Sequence, residues 1–157
     1  MKIFPLLADA AHAGTAGNFS VLNAGWCYTT AIKLAAPEGG WTLPAQGLVI
    51  VVEADWSDLN KTHPVTATLV DEDSNCVDLR NESKLVPAVI KATVNVPSTP
   101  GAPNGTPGRG HLIFSLGAGS IHLAHAPCRL TWKVTVGAIE EALSFWVNVP
   151  APPVEVG

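Results

Sequence analysis

The stretch Arg129-Leu-Thr-Trp-Lys-Val-Thr-Val136 decides the fold class. Its even positions, Leu130, Trp132, Val134 and Val136, are apolar; its odd positions, Arg129, Thr131, Lys133 and Thr135, are polar. A period of two puts one set on each face of an extended chain, so the stretch reads as a strand half-buried against a core, with Trp132 inside. Ser144-Phe-Trp-Val-Asn-Val149 repeats the pattern, with Phe145, Val147 and Val149 on one side and Trp146 out of phase with them. Between the two, Gly137–Ala142 reads as a hairpin connection or a single helical turn.

Working outward, the same period recurs. Ile90, Ala92, Val94 and Val96 alternate with Lys91, Thr93 and Asn95, and Val65, Ala67 and Leu69 alternate with Thr66 and Thr68. Leu112, Phe114 and Leu116 mark a short strand, as do Ile121 and Leu123. Leu48–Val52 is an unbroken apolar run, the mark of a strand covered on both faces. Lys2–Ala8, Phe19–Trp26 and Thr29–Leu34 complete a set of about nine strands at the short spacing of a sandwich or barrel. Helical periodicity is confined to one candidate turn, Ser57–Asn60, with Ser57 or Asp55 as its cap. With no alternation of strands and helices, the sheets are expected to be antiparallel. The expectation is an all-β chain: a single antiparallel β-sandwich, Ig-like or jelly-roll-like, over residues 1–149, with a Pro/Gly loop at 97–110 and an extended Pro-rich tail at 150–157.

Composition agrees. A chain of 157 residues suits one domain, and 47% hydrophobic against 14% charged residues is the reverse of a disordered composition. Fourteen glycines and thirteen prolines call for many turns. Nine basic against thirteen acidic residues leave a formal charge of -4, which argues against nucleic acid as a partner, because phosphate binding needs concentrated Lys and Arg. No apolar run reaches the ~18–20 residues of a membrane helix, so no membrane partner is expected. The opening MKIFPLLADAAHAG has Lys2 and a short apolar stretch, but Pro5 and Asp9 interrupt it, so a strand is expected there rather than a secretion signal. Cys27, Cys76 and Cys128 are odd in number and far apart, which points to free thiols in a reducing compartment. The sequons at Asn18, Asn60, Asn81 and Asn104 read as turn chemistry.

Candidate chemistry is sparse. In Asp71-Glu-Asp73-Ser-Asn75-Cys-Val-Asp78-Leu-Arg-Asn-Glu82, oxygen ligands at Asp71, Asp73, Asn75 and Glu82 match positions 1, 3, 5 and 12 of a calcium loop. Position 6, which needs glycine, carries Cys76, and the flank Thr66–Val70 reads as strand, so a polar hairpin turn is the preferred reading and a weak calcium site the alternative. His122, His125 and Cys128 have zinc-like spacing, but strand alternation sends the two histidines to opposite faces, and a structural zinc needs four ligands. Gly117-Ala-Gly-Ser120 is a turn rather than a nucleophile elbow, and Gly105–Gly110 contains Pro107 and leads into a strand rather than a phosphate-binding helix. With no converging acid, base or nucleophile, neither catalysis nor a cofactor is expected. Contact residues are instead expected along the Pro/Gly loop and the tail, at Pro97, Pro100, Pro103, Pro107, Arg109, Pro150, Pro152 and Pro153, and at Trp41, Trp56 and Trp146. Met1–Pro5 is a further candidate arm.

The blocks Leu7-Ala-Asp-Ala-Ala11, Asn18-Phe-Ser-Val-Leu-Asn-Ala-Gly-Trp26 and Glu53-Ala-Asp-Trp56…His63-Pro…Leu69-Val-Asp-Glu-Asp73, taken in order, resemble a poorly characterised family of small β-rich proteins of actinobacteria and their bacteriophages. The resemblance covers roughly Ile3–Asp78; Cys27, Tyr28 and the 97–110 loop depart from it. It carries over no site residue. It implies a non-enzymatic structural protein, a virion accessory decorating a capsid or joining a tail. Such a protein would be assembled in the bacterial cytoplasm without a secretion signal and bound to a major capsid or other virion protein, with a homo-oligomer expected. The second function class is a β-sandwich module for carbohydrate or another small ligand, built on Trp41, Trp56 or Trp146 with the Asp71–Asp78 turn.

Overall fold

The computed structural model describes residues 1–14, 18–35, 39–81 and 84–151. Pro152 and Pro153 of the tail, Glu82 of the candidate calcium loop, and the last two residues of the Asn81 sequon lie outside the described residues.

The chain is all-β. Among the described residues the strands in chain order are β1 (Lys2–Ala8), β2 (Ala10–Ala13), β3 (Phe19–Leu22), β4 (Tyr28–Thr30), β5 (Ile32–Lys33), β6 (Trp41–Thr42), β7 (Gln46–Ala54) and β8 (Thr62–Val70). They continue with β9 (Asp78–Asn81), β10 (Lys84–Pro87), β11 (Val89–Asn95), β12 (Gly108–Leu116), β13 (Ile121–Leu123), β14 (Cys128–Val136) and β15 (Ile139–Asn148). They form four sheets, ordered β1-β7-β12, β11-β8-β14-β15-β4, β10-β9-β13-β6-β5 and β2-β3. Several strands have only two to four residues, too short to leave a period in the sequence, which is why about nine were expected. The candidate turn is a 3-10 turn at Trp56–Asp58 with Asp55 as N-cap, whose side chain makes no capping bond.

Alternation explains the longest strands. On β14, Leu130, Trp132, Val134 and Val136 are all 0% exposed and their neighbours face outward. Gly137, at φ 60°, opens the two-residue turn that pairs Val136 with Ile139, so β15 begins at once and no helical turn intervenes. On β7, Leu48, Ile50 and Val52 face the core shared with Leu69, Leu130 and Trp132, while Val49, on the opposite face, is equally buried. The β2–β3 hairpin lies on that second face: Ala11 approaches Gly47, and the Phe19 ring sits 4.8 Å from that of His111 on β12. The unbroken apolar run thus has a cover on each side.

Three expectations change. First, Met1–Pro5 is no free arm. β1 pairs with β7 from Lys2↔Glu53 to Ala8↔Gly47, and Pro5 is tolerated because β1 is an edge strand. Second, the Pro/Gly loop is shorter, because Gly108, Arg109 and Gly110 pair with Ala54, Glu53 and Val52 and belong to β12. Third, one strand pair is parallel: β4 runs beside the end of β15, with Trp146↔Tyr28, Val147↔Thr29 and Asn148↔Thr30 in register. Among the described residues every other ladder is antiparallel.

Candidate functional site

The expected contact residues do not gather into one site. The loop 97–107 joins β11 to β12 and exposes Pro97, Pro100, Pro103 and Pro107. Its interior holds two turns, Ala102 N–H to Thr99 O and Thr106 N–H to Pro103 O, the second reinforced by the Thr106 hydroxyl at 2.8 Å. Its base is clamped by Asn60, which takes the left-handed conformation at φ 57° that asparagine tolerates better than most residues. The Asn60 backbone N–H donates to Val96 O, its Oδ1 accepts from the Ser98 N–H, and its Nδ2 donates to Ser98 Oγ. Arg109 lies beside this base on β12, and its Nε and Nη2 both donate to Glu53 Oε2, at 3.0 and 2.9 Å.

The tryptophans do not cluster. Trp41, on β6, is half-buried against the core with the Lys33 ammonium 5.9 Å from its ring. Trp56, 50% exposed, sits in the 3-10 turn after β7. Beside it, the Met1 ammonium hydrogen-bonds Asp55 Oδ2 at 2.8 Å and holds the Asp55 carboxyl below its ordinary pKa. Trp146, 53% exposed, stands on the outward face of β15, and Pro150 is exposed just beyond that strand. Periodicity missed the neighbour of Trp146: the parallel pairing sets Tyr28, 65% exposed, next to it on the same face. Across the antiparallel ladder the register partner of Trp146 is Arg129.

The candidate calcium residues are engaged with one another. Asp71 Oδ1 accepts the backbone N–H of both Asp73 and Asn75, and its Oδ2 accepts from Asn75 Nδ2. This is an Asx-type turn closed by its first residue. Glu72 turns back over the sheet and accepts the Arg129 N–H at 2.8 Å.

The histidines were expected on opposite faces. β13 ends at Leu123, so strand alternation does not reach His125, which lies in the bend Ala124–Pro127. His122 and His125 are both among the residues lining one cavity of about 270 Å³, with Asp71, Cys76, Asp78 and Cys128. His122 Nδ1 is buried without a hydrogen-bond partner. Among the described residues, no three His, Cys, Asp or Glu side chains are placed to hold a metal ion.

The thiols differ in environment. Cys27 and Cys76 are exposed; Cys128 is buried, and that burial, followed by the charges of Glu72 and Asp71, pushes its pKa up. A disulfide-exchange reagent at mildly alkaline pH is therefore expected to titrate two thiols quickly in the native protein and the third only on unfolding. Three equally fast thiols would contradict the burial of Cys128. The unfolded chain deprotonates Cys128 first, so the native state holds the extra proton between the two pKa values. This contribution to stability is complete below the ordinary thiol pKa and is lost as pH rises through the folded value. Replacing Cys128 by alanine should flatten that alkaline decline in urea unfolding.

Compared with known proteins, the chain matches no family model, no curated protein and no solved structure.

Proposed function

We propose that the chain is a non-enzymatic structural and interaction protein: a bacteriophage virion accessory, decorating a capsid or joining minor structural components, that binds neighbouring subunits including copies of itself. Its scaffold on this reading is a β-sandwich of the β1-β7-β12 sheet over the β11-β8-β14-β15 strands, a reading supported by β1 lying near β15 and β12 near β11. The observation that carries the proposal is the loop 97–107. Its base is clamped by Asn60 while its prolines point into solvent. A segment whose φ angles are fixed by proline and whose ends are already held loses less conformational entropy when it docks. The exposed Trp56 and Pro150 add contact surface outside the loop.

The experiment is sedimentation velocity of the full chain over a wide concentration range, alone and with capsid shells of an actinobacterial phage, repeated on a variant with Pro97, Pro100, Pro103 and Pro107 changed to glycine. The expected result is concentration-dependent assembly or shell binding that the variant weakens. A strict monomer that leaves the shells free, or a variant that binds as well as the parent, overturns the proposal.

A further inference from the structure

We infer that the outward face around Trp146 is a saccharide-binding site, distinct from the loop. The row Tyr28–Trp146–Arg129 crosses β4, β15 and β14 in register. Adjacent strands are about 4.8 Å apart, so the row spans roughly 10 Å, enough for two pyranose rings end to end. Both residues are more than half exposed, and among the described residues neither ring meets another aromatic ring or a cation. An exposed aromatic ring offers its negative π-face to the polarised C–H face of a sugar.

The polar half of the site lies beside the aromatics. A depression of about 430 Å³ is lined by Glu72, Arg129, Thr131, Lys133, Ser144 and Trp146. Thr131 and Ser144 form a hydroxyl pair at 2.8 Å. Among the described residues, neither the Arg129 guanidinium nor the Lys133 ammonium has a carboxylate within salt-bridge distance. The neighbouring Asp71 and Glu72 already accept backbone N–H groups, which fixes their positions. Rigid acceptors, unpaired donors and hydroxyls around two bare rings match the alternating hydroxyls and apolar faces of a saccharide. Beyond the aromatics the face carries the hydroxyls of Thr66, Thr68 and Thr135, with Val70 and Val89 as its aliphatics.

Tryptophan fluorescence and titration calorimetry with cellotetraose, chitotetraose, xylotetraose and tetragalacturonate test the site. At least one should bind with a shifted emission. Trp146→Ala should weaken it about tenfold or more, and Trp146→Phe should retain most of the affinity. Tetragalacturonate alone binding, and losing affinity in Arg129→Ala, would support the site with an acidic sugar as its ligand. Trp146 is exposed, so its variants are expected to keep the parent near-ultraviolet circular dichroism. No binding to any of the four, or unchanged affinity in Trp146→Ala, overturns the inference. If sedimentation shows self-association that Trp146→Ala abolishes while no saccharide binds, the face belongs to protein docking, and the proposed function survives without this site.

Discussion

Replacing Trp132 by alanine is expected to destabilise the protein by about 3–5 kcal/mol, the range for truncating a fully buried large aromatic. For a chain of this length that corresponds to roughly 6–20 °C in Tm. Trp132 is 0% exposed on β14, which is flanked on both sides, by β8 and β15. Its register partners are Leu69 and Leu143, so the void would open between the two strands that hold the sheet together. The size of the effect can be separated from its chemistry. Trp132 Nε1 is buried without a hydrogen-bond partner, so Trp132→Phe removes an unsatisfied donor while keeping most of the ring volume. Those changes offset each other, and Phe should stay within about 1.5 kcal/mol of the parent. Trp146→Ala, one strand away on the opposite face, should move stability by no more than about 0.5 kcal/mol. Urea unfolding followed by circular dichroism measures all three. Equal losses for positions 132 and 146 would show that the faces are misassigned.

That contrast also marks how far the sequence could be read. The alternation assigns every side chain from Arg129 to Val136 to its face, and the Leu48–Val52 run announces a strand covered twice. Both signals are local: burial imposes a period on consecutive residues. Partner choice is not local. Nothing in Tyr28-Thr-Thr30 specifies that it lies parallel to β15, so the pairing that brings Tyr28 beside Trp146 was invisible, and with it half of the aromatic platform. The histidine reading meets a related boundary. Alternation holds only while a strand lasts, and β13 stops at Leu123, before His125. Glycine misled in another way. Gly108 and Gly110 read as loop because glycine favours turns, yet they sit in a ladder where neighbouring chain presses close, at Gly108 too close for a side chain.

Gly108→Ala is accordingly expected to cost about 1–3 kcal/mol, as overpacking does in a filled interior, and to loosen the loop as it does so. A Cβ at Gly108 would stand 2.5 Å from Leu59 Cδ2, 2.6 Å from Pro97 O and 3.2 Å from Val96 Cγ1. The Leu59 tip can rotate away. The Pro97 carbonyl cannot move without displacing Val96 and Ser98, both of which hydrogen-bond to Asn60. Relief of the clash therefore has to travel into the base of the loop. Two measurements separate the contributions. If the leucine contact dominates, Gly108→Ala combined with Leu59→Ala should be less destabilised than the sum of the single variants; if the carbonyl dominates, the losses should add. Limited proteolysis between Pro97 and Pro107 should accelerate in Gly108→Ala, because displaced anchors release the backbone they hold. Gly101→Ala is the control. Open space surrounds its Cβ position and only its φ of 76° resists a side chain, so its cost should stay near 1–2 kcal/mol, with the anchors at Asn60 untouched. A Gly108→Ala protein with the parent's urea midpoint and cleavage rate would mean that Gly108 is not wedged against Pro97, and that the loop is not presented by a clamped base.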